Sequence, residues 1–205
     1  MLHEDGSDAP IWAAVREGAR FFMGESKVDL ALEAVTKLLD EEKIPYCLVG
    51  AMALNFYGYR RFTEDIDLLL TPAGHAAFKG RAVGRGYVEK FAGSRALRDT
   101  VNGVTIDVLI AGDYPGDGKP KAVVFPDPAL VGQRIGRLSL IPLPKLIELK
   151  LASGISAPHR LKDLADVLEL ARAMRLPLEL AQSLDPSVRE KYCELWTAAQ
   201  VADPD

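Results

Sequence analysis

Cysteine is nearly absent from this 205-residue chain, which has only Cys47 and Cys193. They lie far apart in apolar surroundings, without metal-knuckle spacing. A disulfide scaffold and a zinc site are therefore not expected, and buried free thiols in a reducing cytoplasm are. Histidine is scarce as well: His3, His75 and His159 are scattered and form no metal-binding pattern. No apolar run approaches the ~20 residues that span a bilayer. The opening MLHEDGSDAP is acidic and has no apolar segment, so a signal peptide is not expected there. Internal repeats and low-complexity tracts are missing. What remains, 48% hydrophobic and 26% charged residues, is globular composition, enough for one good core with a modest helical appendage.

The net charge of −4 conceals an uneven distribution. Residues 1–43 carry ten acids against five bases and residues 163–205 nine against four, whereas residues 44–162 carry sixteen bases against ten acids. The basic excess is concentrated in Lys79, Arg81, Arg85, Lys90, Arg95 and Arg98, with Glu89 the lone acid among them. One reading is a solvated helix and hairpin. The other is a landing surface for a polyanionic second substrate, RNA or an acidic protein; no RNA-binding signature with interleaved aromatics accompanies it.

The most informative stretch is GAMALNFYGYRRFTEDIDLLL, Gly50 to Leu70. Strand side chains alternate faces, so Asp65 and Asp67 share one face while Ile66 and Leu68 take the other. Two adjacent carboxylates repel each other unless a cation lies between them. A bare Asp-x-Asp is common and can be a solvated strand end. Here a strand precedes Gly50-Ala51, a helix-length segment follows, and a third acid, Asp107, interrupts the apolar β-branched run Val104–Ile110 after the turn signal Asn102-Gly103. An ionised Asp within such a run costs several kcal/mol if buried alone. Asp107 therefore reaches an edge or water, or it faces a cation. A three-carboxylate metal cluster beside a phosphate-binding turn is the economical reading.

Leu48-Val-Gly-Ala-Met-Ala-Leu54, Gly58 and Arg61-x-Thr63-x-Asp65-Ile-Asp67 resemble the nucleotidyltransferase superfamily typified by DNA polymerase β, and within it the bacterial branch of AbiEii-type toxins and related small transferases. Leu146-Ile-Glu-Leu-Lys150-Leu and Arg160-Leu-Lys-Asp163-Leu-Ala-Asp166-Val are similar to that branch again, so the likeness spans about residues 44–170. The resemblance implies Mg²⁺ or Mn²⁺ at Asp65, Asp67 and Asp107. It also implies nucleotide contacts from Gly50, Ala51 and Lys150, a supporting shell of Thr63, Arg160, Asp163 and Asp166, and a toxin–antitoxin or phage-defence setting with a cognate partner protein; Arg61 is a candidate nucleotide contact that could equally pair with Asp65. Ala51 departs from the family's usual Gly or Ser and supplies no hydroxyl; backbone N–H groups at the helix start could still hold phosphates. Read without the family, Lys150 could be a snorkelling surface lysine, and Arg160 and Asp163 a simple ion pair.

Periodicity and turn residues predict a helix over 28–39 capped by Ser26, a strand over 44–49, a helix over 51–57, a strand over 65–70 and a helix from Thr71-Pro72 to about Arg85. Strands follow over 87–91, 95–100 and 104–110, then a Gly/Pro/Asp loop over 111–121, a strand near 137–141, and helices over 145–153, 158–174 and from 178. The expected fold is α/β (α+β): a mixed sheet with helices packed on it and a helical C-terminal appendage. The expected divisions are an extension over 1–26 that includes Trp12, Phe21 and Phe22, a core over 27–142, and a helical region over 143–205. The expected function is Mg²⁺-dependent transfer of NMP from an NTP to a hydroxyl of RNA, protein or a small molecule. The alternative is a non-catalytic nucleotide- or partner-binding module of the same fold.

Overall fold

The computed structural model describes residues 24–201 and, before them, residues 13, 16–18, 20 and 21. His3, Trp12, Phe22 and most of the expected extension lie outside the described residues. Phe21 packs edge-on against Phe62 with ring centroids 5.2 Å apart.

Helix α1 (Lys27–Glu41) starts at a capping box in which Ser26 and Asp29 satisfy each other's backbone N–H groups. Its stripe of Val28, Ala31, Leu32, Val35 and Leu39 is buried. The chain continues through β1 (Tyr46–Leu48), α2 (Gly50–Phe56), β2 (Asp65–Leu70), α3 (Pro72–Ala82), β3 (Tyr87–Glu89), β4 (Leu97–Asp99) and β5 (Thr105–Ile110). It then runs through α4 (Pro128–Val131), β6 (Gln133–Ile135), β7 (Leu138–Leu140), α5 (Leu143–Ser156), α6 (Leu161–Met174) and α7 (Pro186–Ala199).

The strands form one mixed α/β sheet in the order β3-β4-β5-β2-β1-β7-β6. β2 pairs parallel to β5 and β1 parallel to β7; the other neighbours are antiparallel. Strand alternation divides the apolar side chains between two cores. On one face Tyr46, Leu48, Ile66, Leu68, Leu70, Ile106 and Val108 pack with α1 and Phe78 of α3. On the other, Cys47 and Leu69 pack with Ile147 and Leu151 of α5, and this core continues into Leu170 and Tyr192 of the C-terminal helices.

That second face explains the position of the site. Along β2 it presents Asp65, Asp67 and Leu69 in turn. The tail covers the strand at Leu69, and the acidic half extends beyond that cover.

Several expectations need correcting. α3 stops at Ala82, because Gly84 and Gly86 both take positive φ and turn the chain back into β3. Residues 178–183 form a 3-10 turn, and the last helix starts at Pro186 behind the Asp185 cap. α4 and β6 were not expected; β6 is three exposed residues with no buried face to reveal it. Cys47 and Cys193 are free, but Cys193 is only half-buried. No helix among the described residues is long and apolar enough to cross a membrane.

Candidate active site

The parallel pairing of β2 with β5 places Asp67 directly beside Asp107, and Asp65 beside Thr105. All three carboxylates are half-buried on the second face and line one cleft of about 850 Å³ between the sheet and the α5–α6 pair. Burial raises the Asp67 pKa first, and the charges of Asp65 and Asp107 raise it further; Lys150 and Arg160 pull the other way, leaving it at about 6. Burial likewise raises the Asp107 carboxyl, Lys90 opposes that shift, and Asp65 adds to it. Thr63 donates its hydroxyl to Asp65 Oδ1 in a short hydrogen bond.

Gly50 packs against this cluster. Its φ is +61°, and a Cβ there would lie 1.8 Å from Asp67 Oδ2. Gly50 is therefore required twice, for its left-handed backbone and for the space the carboxylate occupies. Gly50→Ala should cost at least about 2 kcal/mol, the strain and the clash together, and should displace the Asp67 side chain. Thermal melts in EDTA and Mg²⁺ calorimetry check it: an unchanged melt with unchanged ion affinity contradicts the packing.

α2 starts at Gly50 with no side-chain cap, since Val49 offers none. The N–H groups of its first turn lack intrahelical acceptors, and Gly50 and Ala51 both line the cleft. Ala51 is buried and brings only its backbone.

The opposite wall is a charged network. Lys150 on α5 is 8% exposed and donates to Asp163 Oδ1 at 3.0 Å and Asp166 Oδ2 at 2.8 Å, both on α6. Arg61 Nη1 reaches Asp166 Oδ1 at 2.6 Å, and Arg160 Nε reaches Asp163 Oδ2 at 2.8 Å. Ser153 Oγ donates to Asp163 Oδ2 at 2.7 Å. Burial alone would raise the Asp163 carboxyl, but Lys150, Ser153 and Arg160 together hold it below its ordinary value. Arg61, Lys150, Arg160, Asp163 and Asp166 all line the cleft, so the structure brings the expected residues together. The charge of Lys150, however, is already committed to two acids.

The basic segment 79–98 divides its side chains among several contacts. Lys79 bonds Glu89 and the Ser94 carbonyl, Arg81 pairs with Glu42 at 3.0 Å, and Arg85 and Arg98 are exposed. Only Lys90 and Arg95 line the cleft, and Arg95 pairs with Asp113 across its rim at 2.5 Å. Sequence reasoning passed over Lys162, Ser153 and Asn55. Lys90 and Lys162 line or border the cleft with no carboxylate in ion-pair range among the described residues. Ser153 could have been found from its three-residue spacing to Lys150, and Asn55 as the one amide in the apolar helix GAMALNF.

The donor set fits a hard divalent cation: all oxygen, anionic, and carrying a like-charge repulsion that, after burial, helps to raise the Asp67 pKa. Among the described residues no three such side chains form a ready-made ion cage, so binding an ion would require these carboxylates to reorient.

No family model matches the chain, and no curated protein matches it. Solved structures do. ANT(2'')-Ia in complex with adenylyl-2''-tobramycin is 13% identical, with a TM-score of 0.47 over 84% of this chain and 98% of that one. An H. pylori protein assigned as a nucleotidyltransferase is 19% identical, with a TM-score of 0.46 over 82% and 90%. JHP933 from Helicobacter pylori is 20% identical, with a TM-score of 0.44 over 82% and 87%.

Proposed function

We propose that the cleft transfers a nucleoside monophosphate from an NTP to an acceptor hydroxyl, releasing pyrophosphate. The observation that carries this reading is the placement of Asp65, Asp67 and Asp107 together on the cleft floor, facing the charged wall of Arg61, Lys150, Arg160 and Lys162 with Asp163 and Asp166. The sequence resemblance in Leu48–Leu70 supports it. Asp65, Asp67 and Asp107 would hold Mg²⁺ or Mn²⁺, which when bound neutralises triphosphate charge and lowers the acceptor hydroxyl's pKa.

The chain's own groups do the rest. The N–H groups at Gly50 and Ala51 bind phosphate oxygens. Arg61, anchored on Asp166, orients the triphosphate from the tail side. Asp107, at the β4 side of the floor, accepts the acceptor's proton on a carboxylate oxygen. Lys90 borders that side and is the cation placed to meet an anionic acceptor.

Among the described basic residues of the tail wall, Lys162 makes no ion pair, whereas Lys150 and Arg160 already hold carboxylates, so Lys162 is assigned to phosphate. Lys162→Ala should weaken NTP binding about tenfold, the loss of one charge-assisted contact worth ~1.4 kcal/mol. Lys90→Ala should leave NTP affinity unchanged and slow transfer to an anionic acceptor. Calorimetry with each NTP and Mg²⁺ tests the reading: no binding by any NTP sinks it, and unchanged affinity in Lys162→Ala removes Lys162 from the site.

That no three acids among the described residues form a preformed ion cage favours one second reading, a non-catalytic nucleotide-binding module. Tight NTP binding without turnover would select it.

A further inference from the structure

Between Tyr59, whose N–H closes on the Leu54 carbonyl at 3.1 Å, and the start of β2 the chain has no regular backbone ladder. Besides the Phe62–Phe21 ring pair and the Arg61–Asp166 ion pair, two local side-chain contacts hold this span. One is the short Thr63–Asp65 bond. The other is the carboxamide of Asn55, which grips both backbone groups of Arg61: Oδ1 accepts from Arg61 N at 2.6 Å and Nδ2 donates to Arg61 O at 2.9 Å. The pairing itself defines the amide's orientation, because a flipped amide would set donor against donor and acceptor against acceptor.

The residue gripped this way is unusual. Arg61 lines the cleft and sends Nη1 to Asp166, while its Nε is buried with no hydrogen-bond partner. Buried donors are nearly always paired. An unpaired one leaves the hydrogen bonding of this cleft-lining guanidinium incomplete in the free protein, although Nε itself is closed to solvent. Asn55 belongs to α2, the helix whose first residues, Gly50 and Ala51, line the same cleft. One short element thus presents backbone N–H groups at its start and fixes an arginine from its end.

We infer that Asn55 is a positioning residue for the triphosphate, acting through Arg61: its side chain fixes the Arg61 backbone so that the guanidinium stands between Asp166 and the nucleotide's phosphates. This rests on reading the cleft as a nucleotide site. A side chain that merely stabilised the α2–β2 connection would affect melting and leave phosphate affinity independent of Arg61.

The test is a double-mutant cycle on the full chain, with tripolyphosphate and Mg²⁺ as the probe shared by every NTP, read by calorimetry with thermal melts alongside. Asn55→Ala and Arg61→Ala should each weaken binding about tenfold, and the double variant should be no weaker than either, the signature of residues acting as one unit. Asn55→Asp keeps the acceptor for the Arg61 N–H and loses the donor to its carbonyl, so it should restore about half of the loss on a logarithmic scale. It also serves if Asn55→Ala fails to fold. Additive losses of about a hundredfold in the double variant, or wild-type affinity in Asn55→Ala and Asn55→Asp, overturn the inference while leaving the nucleotide reading intact. Wild-type protein that binds neither tripolyphosphate nor any NTP overturns both.

Discussion

Asp67→Asn should abolish Mg²⁺-dependent turnover, by at least about a thousandfold, and yet make the metal-free protein more stable at neutral pH. The sign follows from the raised pKa of about 6 against an ordinary 3.8. A carboxyl that holds its proton more tightly when folded stabilises the fold below pH 3.8. That contribution is lost as pH rises through about 6, where the folded protein must ionise Asp67 against burial, Asp65 and Asp107. Removing the charge should relieve up to ~3 kcal/mol at pH 7 and flatten the decline in stability between pH 4 and 7. Urea unfolding in EDTA across that range checks it. A variant less stable than wild type at pH 7 would mean the carboxylate is a structural partner, and the cation site would lose its main support.

Lys150→Met should have the largest effect on the fold. The resemblance assigns Lys150 to the triphosphate, but in the structure it is a buried cation between Asp163 and Asp166. Deleting it leaves two buried carboxylates with only Arg61, Arg160 and Ser153 to share, at an expected cost of about 3–5 kcal/mol. The acid limb should move too. Asp163 has a depressed pKa, so its contribution is present above its ordinary 3.8 and lost as pH falls through the lower folded value. Without Lys150 that loss should begin at higher pH. Denaturant melts at pH 7 and pH 4 measure both effects. Wild-type stability with weakened NTP affinity would instead return Lys150 to the role the resemblance gives it.

These two residues show where sequence reasoning ends. That Asp65, Asp67 and Asp107 each stand on a strand among apolar neighbours was legible from alternation alone, as was the mixed α/β order of elements. That Asp67 and Asp107 are register partners was not, because the β3–β4 hairpin separates them in sequence and the parallel β2–β5 pairing spans it. The three-residue spacing of Asp163 and Asp166 marked a shared helix face. Which cation that face meets depends on how closely α6 returns against α5, where a Cβ on Gly154 would lie 2.5 Å from Leu164. The basic run from Lys79 to Arg98 read as one surface because sequence neighbours were counted together. In the fold Arg81 pairs with Glu42 at the end of α1, and Lys90 turns to the cleft.

Transfer itself is the measurement closest to the central claim. Wild-type protein and Asp67→Asn would be incubated with each NTP labelled at the α-phosphate, with Mg²⁺ and cell extract, and the label followed. The expected result is label joined covalently to a discrete acceptor, with pyrophosphate released in step, for wild type and not for Asp67→Asn. Label that stays in intact NTP, or that appears equally with both proteins, would contradict nucleotidyl transfer by this cleft.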